Sequence, residues 1–313
     1  MCDAKRLANV RAPSPAPQPD ADVPGGQPLS ASLRLGRRGF VHTVAAGAAV
    51  AGLGAWPQAQ AQVDVGKASS LRKLVPAGEL EQAAAQQYQE MMAEARQKNA
   101  LAPDNHPQLR ALRATASKLI PFALPWNDRA RNWRWEVNLI ASKQINAFCM
   151  PGGKIAFYTG ILNDLKLSND EAAMIMGHEM AHALREHARE RLAKTQATSM
   201  GLSIGARLLG LGDLGDLAAN LGTQLLALKF SREDETEADL VGLELAARGA
   251  YDPQAGVTLW QKMGKASGDS GGPGLNFLST HPSGPDRIEA LQANVPKVMD
   301  LYQQARNKTA RGG

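Results

Sequence analysis

His178-Glu179-Met180-Ala181-His182 places two imidazoles four residues apart, with a carboxylate beside the first. Four residues of helix turn through about 400°, so both rings leave one face, one turn apart, and can grip a single metal ion. Glu179 lies about 100° further round, beside that ion rather than on it. From there a carboxylate can take a proton from water and deliver it to a leaving amine. The apolar neighbours Met174, Met176 and Met180 are most simply core packing.

A metal-dependent hydrolase of this kind needs a third protein ligand and an open fourth position. The other histidines beyond residue 61 are His106, His187 and His281. His106 opens an earlier helix beside a proline. His187 follows His178 by nine residues, which on a continuous helix sets it on the opposite, solvated side. The better candidate is Glu235, in Glu235-Thr236-Glu237-Ala238-Asp239. Glu235 and Asp239 share a helix face at i,i+4. Glu235 is expected to ligate and Asp239 to accept the spare N–H of a ligating histidine, while Glu237 points to solvent.

The elements that must position these groups read as helices around a small sheet, an α+β and mainly helical fold. A breaker-free Ala/Gln/Glu stretch predicts a helix from about Gly78 to Lys98. Asn105-His106-Pro107 starts another, carrying Leu109, Leu112, Ala116 and Leu119 at helical spacing. Trp133 to Ala141, Ile145 to Met150 and Lys154 to Thr159 read as strands, the last two joined through Pro151-Gly152-Gly153. Ser168 and Glu171 form a capping box, so the helix bearing the paired histidines starts near Asn169 and is expected to run to about Lys194. Arg232 to Arg248 is a helix stopped at Gly249, and a last helix starts near Ser283 to Asp286.

The chain has 313 residues, 44% hydrophobic, enough for one large or two ordinary domains. Two cysteines, Cys2 and Cys149, exclude a disulfide scaffold or a Cys-cluster metal module; Cys149 reads as a packed thiol. Six of the 18 prolines fall between Pro13 and Pro28, a segment too poor in large apolar residues to order itself. Arg37-Arg38-Gly39-Phe40-Val41, a weakly apolar run and Ala59-Gln60-Ala61 then read as an export signal of twin-arginine type. Residues 1–61 are therefore expected to be a leader and 62–313 one domain with its core at 133–290. That leader holds six of the 35 basic and three of the 30 acidic residues, so the formal charge falls from +5 to +2 without it. Nucleic acid is excluded as an expected partner on that balance. A periplasmic location in a Gram-negative type envelope follows from the signal.

Taken together the motifs resemble the zinc metalloprotease family that includes the CAAX prenyl protease, the HtpX membrane protease and the Oma-type proteases. The matching pieces are Ile145-Asn146-Ala147-Phe148 through Lys154, His178 to His182, Ser231-Arg232 with Glu235 and Asp239, Gly249-Ala250-Tyr251-Asp252-Pro253, and Thr280-His281-Pro282 with Arg287-Ile288. The resemblance implies a zincin-like domain with one zinc held by His178, His182 and Glu235, and Glu179 as catalytic base. It implies a small antiparallel sheet whose edge strand, at Asn146, Ala147 and Phe148, adds a substrate peptide as an extra strand. It places His281 near the metal, stabilising an oxyanion or capping the zinc in a latent form, and Arg287 beside it as a helper or a structural ion pair. The implied function is endopeptidase cleavage of unfolded or misassembled envelope proteins. The alternative is a periplasmic chaperone or adaptor that binds such chains, with peptidase activity latent or minor.

Two further segments bear on function. Leu202 to Leu228 is amphipathic, and is expected to act as a lid or a peripheral membrane contact rather than a span. Gly268-Asp269-Ser270-Gly271-Gly272-Pro273 matches the nucleophile loop of trypsin-like serine proteases. That fold demands a double β-barrel, and the strand signals here are too few for one.

Overall fold

The computed structural model describes residues 63–195, 225, 228–269, 276–281 and 284–311. The proposed export signal, most of the 202–228 segment and Ser270 lie outside the described residues. Helix α1 spans Ala77–Gln97 and α2 Pro107–Leu119. Strands β1 (Glu136–Ile140), β2 (Ala147–Met150) and β3 (Lys154–Tyr158) follow, then a short α3 (Thr159–Asn163) and the motif helix α4 (Asn169–Leu184). After these come α5 (Arg232–Arg248), α6 (Gln254–Asp269), the one-turn α7 (Asn276–Thr280) and α8 (Pro285–Arg311). No described helix is long and apolar enough to cross a membrane.

The sheet order is β1-β3-β2, and the sheet is mixed rather than wholly antiparallel. The β2–β3 hairpin is antiparallel as expected, through a turn with positive φ at Gly152 and Gly153 that only glycine adopts freely. β1, however, pairs with β3 in parallel, Glu136 opposite Lys154 through Ile140 opposite Tyr158. The second hairpin strand thus inserts between β1 and β2 and leaves β2 on a sheet edge. Pleating sorts the side chains by parity. Val137, Leu139, Ala147, Cys149, Ile155 and Phe157 face the core shared with the helices. Ile140, Phe148, Met150 and Ala156 face a second core built with Leu80, Ala84, Tyr88 and Met92 of α1.

The capping box at the start of α4 is present, with Ser168 Oγ accepting from the Glu171 N–H and Glu171 Oε2 from the Ser168 N–H. The same device starts α5 through Ser231 and Asp234. Almost all of α4 beyond its first turn is buried, and so is the second half of α5. The two helices cross at Gly177 and Gly242. A Cβ on Gly242 would stand 2.6 Å from the His178 nitrogen, and one on Gly177 2.7 Å from the Gly242 carbonyl oxygen. Backbone meets backbone there, and no side-chain rearrangement relieves such an overlap. That close approach brings His178 and His182 against Glu235 and Asp239.

α4 does not reach Lys194 as one helix. It ends at Leu184, Arg185 caps it, and Glu186 adopts the left-handed region at φ +60. Residues 187–195 form a new helical segment. This reorientation overturns the placement of His187, since helical angles counted from His178 hold only on an unbroken helix.

Candidate metal centre

α4 projects His178, Glu179 and His182 into the space between itself, α5 and the turn after α7. All three are 3–4% exposed, so each polar atom must find a partner. α5 contributes Glu235 and Asp239. His281 enters from the turn after α7, its N–H held by the Phe277 carbonyl and its ring stacked on Phe277 at 4.5 Å. One ligand atom each from His178, His182, Glu235 and His281 lie within 4.8 Å of one another.

The separations test whether a metal fits. The Nε2 atoms of His178 and His182 are 3.1 Å apart, and His178 Nε2 is 3.3 Å from His281 Nδ1. Glu235 Oε2 is 3.5 Å from His178 Nε2, and Oε1 is 3.5 Å from His182 Nε2. Ligands at about 2.0–2.1 Å from a tetrahedral ion stand about 3.3 Å apart, so this donor set has the right span. Beside it, Glu179 Oε1 is buried without a hydrogen-bond partner and faces His281 Nε2 at 3.5 Å. A buried carboxylate oxygen with nothing to bind fits a group that handles water or substrate.

A second ring of contacts holds the first. Asp239 Oδ1 accepts from His178 Nδ1 at 3.0 Å. Arg287 grips Asp239 with two nitrogens at 2.7 and 2.8 Å and reaches Glu235 Oε2 at 2.7 Å, and its guanidinium lies 3.5 Å over the Trp260 ring. Arg287 is thus a buried ion-pair partner of both α5 carboxylates. His281 Nδ1 sits 2.9 Å from Glu235 Oε1.

Burial disfavours the charge of Glu179 and raises its pKa, a shift only partly offset by His281 and His178. Burial also pushes His182 well below its ordinary range, reinforced by the neighbouring histidines, which keeps it neutral as a ligand must be. For Asp239 burial is outweighed by Arg287 and His178, and its pKa falls to about 2. For Glu235 burial alone would raise the pKa, but the hydrogen bond and charge of His281, with Arg287 nearby, outweigh it and the pKa is lowered. His281 is raised, since Glu179 and Glu235 overcome the effect of burial.

β2 borders the same cleft. Asn146, Ala147, Phe148, Cys149 and Met150 line it with Glu179, His182, Phe230 and His281. The Tyr158 N–H donates to the Asn146 carbonyl, so the ladder's alternation turns the main-chain groups of Ala147 and Cys149 away from β3, towards the cleft. The Ala147 N–H is held there by Asn146 Oδ1 at 3.0 Å. Phe148 turns its ring away, into the α1 core against Tyr88 and Tyr158. Cys149 is a buried free thiol whose pKa burial raises, consistent with packing.

Two residues were placed in solvent by helical arithmetic and are not there. His187 is 2% exposed, with Nδ1 2.9 Å from His182 Nδ1. Glu237 is partly buried, accepting from Arg185 Nε at 2.7 Å and standing 3.3 Å from His187 Nε2. A sequence signal for His187 existed only in its being a histidine close to the motif. His106 sits at the N-cap position of α2 and takes no part in the cluster.

Comparison with known proteins bears on this geometry. The model of peptidase family M48 matches residues 109–295. The mitochondrial metalloendopeptidase OMA1 of Schizosaccharomyces pombe is 35% identical over 67% of this chain and 59% of its own length. That of Arabidopsis thaliana is 41% identical over 54% of this chain and 34% of its own. The metalloprotease LoiP of Escherichia coli is 26% identical over 48% of this chain and 59% of its own. The chain therefore spans about a third to three fifths of the length of these relatives. The expected periplasmic location does not stand, because the relatives at 35% identity and above carry mitochondrial names. With the family model covering more than half of the sequence and the paired-histidine helix inside the match, the chain belongs to peptidase family M48.

Proposed function

We propose that this chain is a zinc-dependent endopeptidase that cleaves unfolded or misassembled polypeptides. The observation that carries the reading is the convergence of four buried ligand atoms beside Glu179, in a cleft bordered by the edge strand β2. His178, His182 and Glu235 would hold the ion, a nitrogen and carboxylate set suited to zinc. Zinc bound there supplies Lewis-acid polarisation of the scissile carbonyl and a lowered pKa for water.

The rest is done by the chain's own residues. The Ala147 and Cys149 carbonyls on the outer edge of β2 accept from an extended peptide, which favours unfolded substrates over folded ones. Glu179 takes the proton of the attacking water and passes it to the leaving amine, and its raised pKa suits both steps. His281, its ring pinned by Glu235 at Nδ1, stands with Nε2 towards Glu179 and donates to the oxyanion. A protein that only held unfolded chains would use the strand edge and have no need of Glu179.

Elemental analysis of the purified protein tests the reading, together with digestion of casein. About one zinc per chain is expected, with cleavage stopped by a chelator and untouched by a serine-directed phosphonate. The opposite inhibition pattern would move the chemistry to another site.

A further inference from the structure

Resting on that metallopeptidase reading, we propose that His187 and Glu237 form a relay that fixes His182 in the tautomer able to bind the metal. Both are positioning residues for that ligand. The two ligand histidines of α4 are held differently. His178 donates its Nδ1–H straight to the carboxylate of Asp239. Among the described residues no carboxylate meets His182 at its Nδ1. It meets another imidazole instead, His187 Nδ1 at 2.9 Å, with the two rings at 77°.

Between two neutral ring nitrogens at that distance there is one proton, and nothing in the pair itself decides its owner. Glu237 decides it. An ionised carboxylate only accepts, and Glu237 Oε2 faces His187 Nε2 at 3.3 Å. His187 therefore carries its proton on Nε2 and presents a lone pair at Nδ1. His182 must then carry its own proton on Nδ1, which leaves Nε2 with a lone pair directed at the cluster. In the reverse arrangement the His187 lone pair would face the carboxylate, and an N–H of His182 would fill the ligand position.

The relay is built rigidly. His187 is 2% exposed, so water does not compete for its nitrogens. Arg185 fixes Glu237 through Nε at 2.7 Å, and its Nη2 donates to the Gly66 carbonyl at 3.0 Å. The break after Leu184 is what permits this. The left-handed turn at Glu186 folds residue 187 back towards residue 182, a contact that an unbroken helix would forbid at that spacing. Groups that orient a metal ligand through its second nitrogen commonly contribute about 10–100-fold to metal affinity.

The test measures zinc affinity of the full chain by competition with a chromophoric chelator, alongside the thermal midpoint of each zinc-free protein. His187→Leu keeps the bulk and removes the acceptor, and is expected to weaken zinc binding about 10–100-fold. His187→Asn puts a carbonyl near the Nδ1 position and is expected to restore most of that loss. Glu237→Leu is expected to weaken binding less than His187→Leu, because His187 can still accept in one of its two tautomers. Zinc-free midpoints that stay together while affinities separate would support the relay. Equal affinity in His187→Leu and the parent would overturn it. So would equal weakening in the Leu and Asn variants with lowered zinc-free midpoints, which marks a packing role. A parent chain that binds no zinc would instead sink the metallopeptidase reading, and the relay with it.

Discussion

Glu179→Gln is expected to slow peptide cleavage by about two to four orders of magnitude, the usual contribution of a positioned general base, while leaving the zinc content unchanged. The separation of the two effects follows from geometry. The converging ligand atoms belong to His178, His182, Glu235 and His281, and Glu179 stands beside them with Oε1 unpartnered. A glutamine has the same shape and can still accept the hydrogen bond that the Cys149 N–H gives to this side chain. What it cannot do is take a proton. Casein digestion and elemental analysis on one preparation check both halves, and a Gln variant as active as the parent would remove Glu179 from the mechanism.

The second large effect concerns stability. Arg287→Met is expected to cost about 3–5 kcal/mol in the zinc-free protein, the range for breaking a buried ion pair from one side. Arg287 neutralises two carboxylates, with three contacts of 2.7–2.8 Å to Asp239 and Glu235, which are 5% and 1% exposed. Methionine retains contact with Trp260 but leaves both acids facing one another across a desolvated space. Zinc bound at the cluster would place positive charge next to Glu235, so saturating zinc should raise the unfolding midpoint of the variant more than that of the parent. Denaturant unfolding with and without zinc measures this, and a variant that unfolds with the parent's zinc-free midpoint would contradict it.

The parts of this molecule legible in its sequence are those governed by local rules. Ser168 with Glu171, and Gly249 after Arg248, mark helix ends through contacts a few residues long, and the elements begin and end there. The i,i+4 spacing of His178 with His182 and of Glu235 with Asp239 translates directly into shared faces. The pairing of β1 with β3 was hidden, because the strand signal fixes no partner and a hairpin pattern invites an all-antiparallel reading. α6 was not foreseen; Gly256 and Gly264 dilute its pattern. The break at Arg185 and Glu186 was hidden as well. Neither residue is a helix breaker, and the turn is held by long-range contacts, Arg185 to Glu237 and Glu186 to Arg72. The break turns His187 inward and brings Arg185 and His187 to Glu237, a residue that spacing along its own helix directs to solvent.

The ligand atoms of His178, His182, Glu235 and His281 converge closely enough to hold one metal ion, so metal removal is the most direct test. The chain is stripped with a chelator, dialysed, and assayed on an unfolded polypeptide before and after one equivalent of zinc is returned. The account predicts cleavage that disappears on stripping and returns with zinc. Cleavage that persists undiminished in the stripped protein would contradict it.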